Sequence, residues 1–159
     1  MRLSDKIIAR ADLSGALAQL PRPIVLTNGV FDLLHPGHVM YLDEARSFGA
    51  SLIVGLNSDS SAKSLGKGVD RPINREMDRA IMLAALEAVS LVTVFEERTP
   101  VKLVLEVRPD VYVKGGDYDV QDLEEAILVR SWGGRTKALR FLEGYSTTSL
   151  VNRIRSLGL

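Results

Sequence analysis

Five short apolar runs recur along this chain and limit what it can fold into: Ile24 to Leu26, Leu52 to Leu56, Leu91 to Phe95, Val111 to Val113, and a weaker one around Lys137 to Leu139. Each is too short for a helix and most are rich in Val, Ile or Leu, the pattern of strands covered on both faces of a parallel sheet. Segments of helical period separate them. Met77, Ile81, Ala84 and Ala85 line one side of a helix predicted over 75–89, and Leu150, Val151, Ile154 and Leu157 do the same near the C-terminus. Pro100 suits the first turn of a helix carrying Val101, Val104 and Leu105, because its missing N–H would have no intrahelical partner there. Asp12 and Ser14 suit the cap of a short N-terminal helix. Strand alternating with helix predicts right-handed βαβ units, hence an open, doubly wound α/β fold with five parallel strands and helices on both faces. Ligands of such sheets bind beyond the carboxyl ends of the strands, near the reversal of strand order. The loops after the first, second and fourth strands are therefore the ones to inspect.

A length of 159 residues fits one domain, read here as a helical extension over 1–21 followed by a core over 22–156. The 20 Lys and Arg balance the 20 Asp and Glu, so no global charge excess draws the chain to nucleic acid or to an anionic membrane. With no Cys there is no disulfide framework, no thiolate nucleophile and no Cys-ligated zinc. The N-terminus mixes charges every few residues, unlike a signal peptide, and no later stretch approaches the roughly 20 apolar residues of a membrane span. A cytoplasmic location is the default expectation, with neither nucleic acid nor membrane as partner.

The most informative segment follows the first predicted strand: Thr27-Asn28-Gly29-Val30-Phe31-Asp32-Leu33-Leu34-His35-Pro36-Gly37-His38. Both histidines of the chain fall within four positions of it. That spacing puts them on one face of a helix's first turn, with Pro36 at the helix start and Gly37 removing a side chain that would block a close ligand. A helix N-terminus presents free N–H groups and the positive end of the dipole, a ready phosphate site. Imidazole suits the same task, since a polyphosphate raises its ordinary pKa near 6.5 and makes it a cationic donor. A lone histidine here would read as a cap or a surface residue; two between a strand end and a Pro-Gly helix start favour function. Two histidines are also half a zinc site, but further ligands at suitable spacing are not evident.

Other loops add charge and close approach. Between Ser60 and Arg75 stand Lys63, Lys67, Arg71 and Arg75 against Asp70 alone, a cluster able to clamp transferring phosphates or to sit solvated in water. Asn57-Ser58-Asp59 ends the second strand and either meets ligand or starts a turn. After the fourth strand, Lys114-Gly115-Gly116-Asp117 combines two conformationally free glycines with a carboxylate suited to a sugar hydroxyl, a metal's water shell or a plain turn. Among Ser146, Thr147 and Thr148 one caps the last helix, while their hydroxyls and N–H groups face phosphate. Residues 126–159 carry one acidic and six basic side chains, so the neutral total hides positive charge on the segments expected to meet phosphate.

His35-Pro36-Gly37-His38 is similar to the HxGH signature of the nucleotidyltransferase superfamily, which includes cytidylyltransferases and adenylyltransferases. The basic loop and Gly144-Tyr145-Ser146-Thr147-Thr148, resembling the family's C-terminal Ser-Thr motif, agree with it. Lys114-Gly115-Gly116-Asp117-Tyr118, Gly133-Gly134 and Glu143-Gly144-Tyr145 make the narrower resemblance one to the adenylyltransferases of ADP-heptose synthesis, which in many bacteria form half of a bifunctional kinase and transferase. The resemblance implies a Rossmann-like domain that moves an adenylyl group from ATP to the sugar 1-phosphate D-glycero-β-D-manno-heptose 1-phosphate, with Mg²⁺ carried mainly by the ATP phosphates. It implies catalytic roles for His35, His38, Lys63 and Lys67. Nucleotide contacts fall to Thr27, Asn28, Gly29 and Phe31, to both histidines, and to Ser146, Thr147 and Thr148. Acceptor contacts fall to Asp32, Asn57, Asp59, Lys67, Arg71, Lys114, Gly116 and Asp117. A homodimer or higher homo-oligomer is a family-level expectation. One departure stands out: polyol-phosphate cytidylyltransferases place an Arg three positions before the Gly of the Ser-Thr motif, where this chain has Phe141. That speaks against the enzyme alternative, a cytidylyltransferase acting on glycerol 3-phosphate or another polyol phosphate. A noncatalytic nucleotide sensor on the same fold is the alternative of another class.

Overall fold

The computed structural model describes residues 2–66, 70–116 and 122–158. Five parallel strands, β1 (Ile24–Gly29), β2 (Ser51–Asn57), β3 (Leu91–Phe95), β4 (Val111–Gly115) and β5 (Arg135–Leu139), form one sheet in the order β3-β2-β1-β4-β5. Each contains one of the five apolar runs. The order reverses between β1 and β4, so the crevice of the sheet opens beyond Gly29 and Gly115.

Alternation along the strands sends successive side chains to opposite faces. Val25, Leu52, Val54, Leu56, Val111 and Val113 pack with Tyr41, Leu42 and Ala45 of α2 (Pro36–Arg46) and with Ala80, Leu83 and Ala84 of α4 (Glu76–Ala84). Ile24, Leu26, Ile53 and Tyr112 face the other way. They meet Leu13 of α1 (Leu13–Leu17), Leu103, Val104 and Val107 of α5 (Val101–Val107), and Val129 of α6 (Glu124–Ser131). The N-terminal segment joins this packing: Leu13 is buried and Ile7 bridges Val92 beside β3. Asp12 occupies the N-cap position of α1 without a side-chain cap bond. Two short helices complete the described chain, α3 (Asp59–Ser64) after β2 and α7 (Thr147–Ser156) at the end.

Helix faces differ from the expected ones in an instructive way. α4 ends at Ala84 rather than Val89, and Met77 and Ile81 are exposed while Arg79, Ala80, Leu83 and Ala84 are buried. The inward position that an apolar stripe would assign to Met77 is taken by an arginine with three acceptors, described below. In α5 the buried set is Leu103, Val104 and Val107, with Leu105 outside. α7 buries no residue, and Ile154 and Leu157 stand exposed. Trp132 packs: its Nε1 donates to the Pro109 carbonyl at 3.1 Å and the Arg108 guanidinium lies 5.3 Å above its ring.

Candidate active site

The loop after β1 is shaped by steric demands that its sequence satisfies. Phe31 adopts a left-handed φ of 46°, and its ring folds back over Gly29, where a Cβ would lie 2.9 Å from Phe31 Cε2. A side chain at position 29 would force that ring aside. His35 is the extended N-cap of α2 and Pro36 its first helical residue. His38 follows on the first turn, so the imidazoles stack with ring centroids 3.8 Å apart and planes 21° from parallel. Phe31 meets His38 edge-on at 5.3 Å, and the Tyr145 ring lies 6.4 Å from His35 at 24°. Gly37 is needed for this stack: a Cβ there would sit 3.0 Å from His35 Cε1 and Nδ1 and 3.2 Å from Tyr145 Cβ. His35 Nδ1 is buried without a hydrogen-bond partner, and burial pushes this imidazole below its ordinary pKa. An anion bound against the pair acts in the opposite direction, favouring the charged form.

Two buried ionic anchors set this loop against its neighbours. The Asp32 carboxylate, 6% exposed, accepts from the backbone N–H groups of Ile73 and Asn74 at 2.9 Å and pairs with Arg71 Nη1 at 3.4 Å, while Asn74 Nδ2 donates to the Asp32 carbonyl at 3.1 Å. Asp32 thus holds the returning end of the basic loop, and Arg71 is turned toward it. Arg79, with 1% exposure, donates from Nη1 to the Val30 carbonyl at 2.6 Å, from Nε to Asn74 O at 3.0 Å and from Nη2 to Asp59 Oδ1 at 2.8 Å. One guanidinium therefore ties together the loop after β1, the start of α3 and the approach to α4. Asp59 is committed to that tie, and its backbone N–H donates to Glu76 Oε2 at 2.7 Å.

A cavity of about 730 Å³ opens at the carboxyl edge of the sheet, within the usual range for small-ligand sites. Asn28, Gly29, Phe31, Asp32, His35 and His38 line it from the first loop, Asn57 and Arg71 from the second region, Lys114 and Gly115 from the end of β4, and Ser146, Thr147 and Thr148 from the start of α7. Asn28 is held from below: Tyr112 Oη lies 2.6 Å from its Oδ1 and 3.2 Å from Glu125 Oε1, and Lys114 Nζ donates to the same Oδ1 at 3.5 Å. Asn57 Nδ2 donates to Ser61 Oγ at 2.9 Å. Ser146 caps α7, its Oγ accepting from Ser149 N–H at 3.0 Å.

The remaining candidates stand apart. Thr27 is fully buried, its backbone in the ladders to β2 and β4 and its hydroxyl 2.6 Å from that of Tyr41, so it supports the floor without lining the cavity. Asp59, exposed Lys63 and Gly116 are likewise outside the lining, Gly116 donating its N–H to Leu139 O at 2.9 Å. Lys67 and Asp117 lie outside the described residues. Sequence reasoning missed Arg98 and Pro100, which line the cavity from the loop after β3, and missed Tyr41, Phe141 and Tyr145 as lining side chains. Arg98 was findable, because it follows the end of β3 at the same edge of the sheet as the other loops. Among the described residues, the lining cations Arg71, Arg98 and Lys114 outnumber the one lining carboxylate, Asp32, which suits a polyphosphate.

A model of the family described as cytidylyltransferase-like matches residues 26–153. The chain is 55% identical over 156 residues to D-beta-D-heptose 1-phosphate adenylyltransferase of Bordetella bronchiseptica (strain ATCC BAA-588 / NCTC 13252 / RB50), with 97% of this chain and 96% of that protein covered. It is 48% identical over 151 residues to bifunctional protein HldE of Koribacter versatilis (strain Ellin345), covering 93% of this chain and 31% of that longer protein. Among solved structures, the lipopolysaccharide core biosynthesis protein from Thermoplasma volcanium GSS1 superposes with a TM-score of 0.63 at 32% identity, covering 77% of this chain and 98% of that one. Pantothenate synthetase from Thermus thermophilus shares the fold, with a TM-score of 0.57 at 17% identity over 86% of this chain and 62% of that one.

Proposed function

The chain belongs to the cytidylyltransferase-like family, and from that premise we propose that it transfers the adenylyl group of ATP to D-glycero-β-D-manno-heptose 1-phosphate, giving ADP-heptose and pyrophosphate. The observation that carries this reading is the end-to-end 55% identity with a heptose 1-phosphate adenylyltransferase; the cavity's stacked histidines and cationic lining agree with it. A phosphate oxygen of the sugar 1-phosphate attacks the α-phosphorus in line. The bond from that phosphorus to the α,β-bridging oxygen breaks, and its electron pair leaves with pyrophosphate. Such a transfer asks for positioning and charge stabilisation more than for covalent chemistry by the protein.

His35 and His38 donate to the triphosphate at the start of α2, where backbone N–H groups and the helix dipole also favour the anion. Lys67 meets phosphate of donor and acceptor, joined by the lining cations Arg71 and Arg98, while Lys63 stays outside the cavity lining. Asn28, Gly29 and Phe31 shape the nucleotide side, with Ser146, Thr147 and Thr148 closing over phosphate. Asn57, Lys114 and Asp117 serve the acceptor. Asp32, Asp59 and Thr27 act through the loops they hold. Among the described residues no group of three or more His, Asp or Glu is placed to hold a metal, and the Asp32 carboxylate is engaged by backbone N–H groups. Mg²⁺ enters as part of the substrate, on the phosphates of ATP, where it would neutralise charge, because it dehydrates reluctantly and seldom needs an all-protein cage. Among the described residues no helix is long and apolar enough to cross a membrane; a cytoplasmic, homo-oligomeric enzyme completes the reading. Incubation of the purified protein with Mg²⁺, ATP and the heptose 1-phosphate should yield equimolar ADP-heptose and pyrophosphate by mass spectrometry and phosphorus NMR. Neither product at saturating substrates would overturn it.

A further inference from the structure

The aromatic side chains of the cavity are not equivalent. Phe31 and Tyr41 are buried, the two imidazoles stack on one another, and Tyr145 runs nearly parallel to His35. Phe141 differs from all of these. It lines the cavity two residues beyond the end of β5, and 56% of its surface is exposed. The ring is nevertheless held. Its tip rests over the end of β4, where a Cβ on Gly115 would lie 2.4 Å from Phe141 Cζ and 2.5 Å from Cε1, and its centroid is 6.0 Å from that of Tyr41 at 40°. Only glycine at position 115 leaves room for it. An aromatic ring backed by backbone and by a second ring, yet still open to the cavity, offers a π-face for a planar ligand.

Its distance from the phosphate end fits a nucleoside. Tyr41, whose ring centroid lies 6.0 Å from that of Phe141, is three residues beyond His38 on α2, so about one helical turn and one ring-to-ring step lead from the histidine pair to Phe141. A base at Phe141 would then be separated from phosphate at the histidines by roughly a ribose. Lys114, next to Gly115, and Arg71 and Arg98 from other loops supply the cations of the same cavity.

We propose that Phe141 stacks on the base of the nucleotide donor and sets the preference for a purine over a pyrimidine. This deepens the nucleotidyl-transfer reading and rests on it. The two fused rings of adenine overlap a phenyl face more fully than the single ring of cytosine, and a phenyl group has no hydrogen-bonding atom to reward a cytosine edge. Selection at this position therefore follows from stacking area.

The test is calorimetric titration of the full chain and of its Phe141→Leu and Phe141→Trp variants with Mg²⁺-ATP, Mg²⁺-CTP and the base-free probe Mg²⁺-tripolyphosphate. Leucine keeps an apolar side chain and removes the π-face. The expected result is a loss of ATP affinity of about 5- to 150-fold in Phe141→Leu, the range of one base–aromatic stack. CTP should lose less, tripolyphosphate should be unchanged, and Phe141→Trp should retain ATP binding. ATP affinity unaltered by leucine, or tripolyphosphate weakened in equal proportion, overturns the assignment. Binding is measured without acceptor, so a failure here is distinct from a failure of the transfer reading, which is read from pyrophosphate release by the unaltered chain.

Discussion

Replacing Asp32 separates two roles that its position near the histidines leaves open. In the structure its carboxylate accepts two backbone N–H bonds at 2.9 Å, from Ile73 and Asn74, and an ion pair to Arg71 at 3.4 Å, with 6% of the residue exposed. A buried hydrogen bond to a charged group contributes about 1.5–3 kcal/mol. Asp32→Ala leaves both N–H groups without their acceptor, so a loss of about 3–6 kcal/mol is expected. The longer Arg71 contact, with that side chain partly open to solvent, adds at most about 1 kcal/mol. Asp32→Asn keeps one acceptor oxygen for the N–H groups and turns an amide donor toward Arg71, which should cost about 1–2 kcal/mol. Urea unfolding with matched m-values measures both, and Michaelis constants for ATP and acceptor are taken on the same samples. If Asp32→Ala keeps its stability to within about 0.5 kcal/mol while the acceptor KM rises about tenfold or more, the carboxylate contacts substrate and the structural assignment fails.

Further outcomes follow from the histidine stack. His38→Ala should fold normally and lose roughly 10²–10³ in kcat, the size expected for one preorganised donor; an unchanged turnover number would remove His38 from the chemistry. Gly37→Ala should cost only about 1 kcal/mol as the tight contacts at 3.0–3.2 Å relax, yet lower kcat by about 10- to 100-fold through displacement of His35, so intact kcat would contradict the packing role of Gly37. Because burial lowers the His35 pKa, the unfolded chain binds more protons there, and this residue's effect on stability falls as pH drops from neutrality through about 6.5 toward the lower folded value. His35→Gln should flatten that slope in urea titrations across pH. ATP binding should in turn take up protons, seen as a calorimetric enthalpy that changes with the ionisation enthalpy of the buffer; a buffer-independent enthalpy would refute charging of the pair on binding.

Much of this architecture is legible in the sequence, because short Val, Ile and Leu runs doubly covered by helices leave few arrangements other than a parallel sheet. The carboxyl-edge rule then locates Asn28, His35, His38, Lys114 and Ser146, all of which line one cavity. What is hidden is what depends on three-dimensional partners. Arg79 sits on a buried helix face because three acceptors from distant segments converge on it, and no hydrophobic period foretells that; Met77 and Ile81 are displaced outward in consequence. Asp32, beside the motif, and Asp59, after the second strand, read as candidate acceptor contacts, whereas their partners come from 39 and 20 residues further along the chain. Gly37 reads in the sequence as clearance for a ligand, and the neighbour it accommodates is the ring two residues earlier.

Pyrophosphate release reads out which nucleotide and which acceptor this site joins. Initial rates would be measured for ATP, CTP, GTP and UTP against a panel of sugar 1-phosphates and polyol phosphates that includes glycerol 3-phosphate. The highest kcat/KM is expected for ATP with D-glycero-β-D-manno-heptose 1-phosphate, by about tenfold or more over any other pair. Preferred use of CTP with a polyol phosphate would contradict it, as would ATP binding with no pyrophosphate released from any pair.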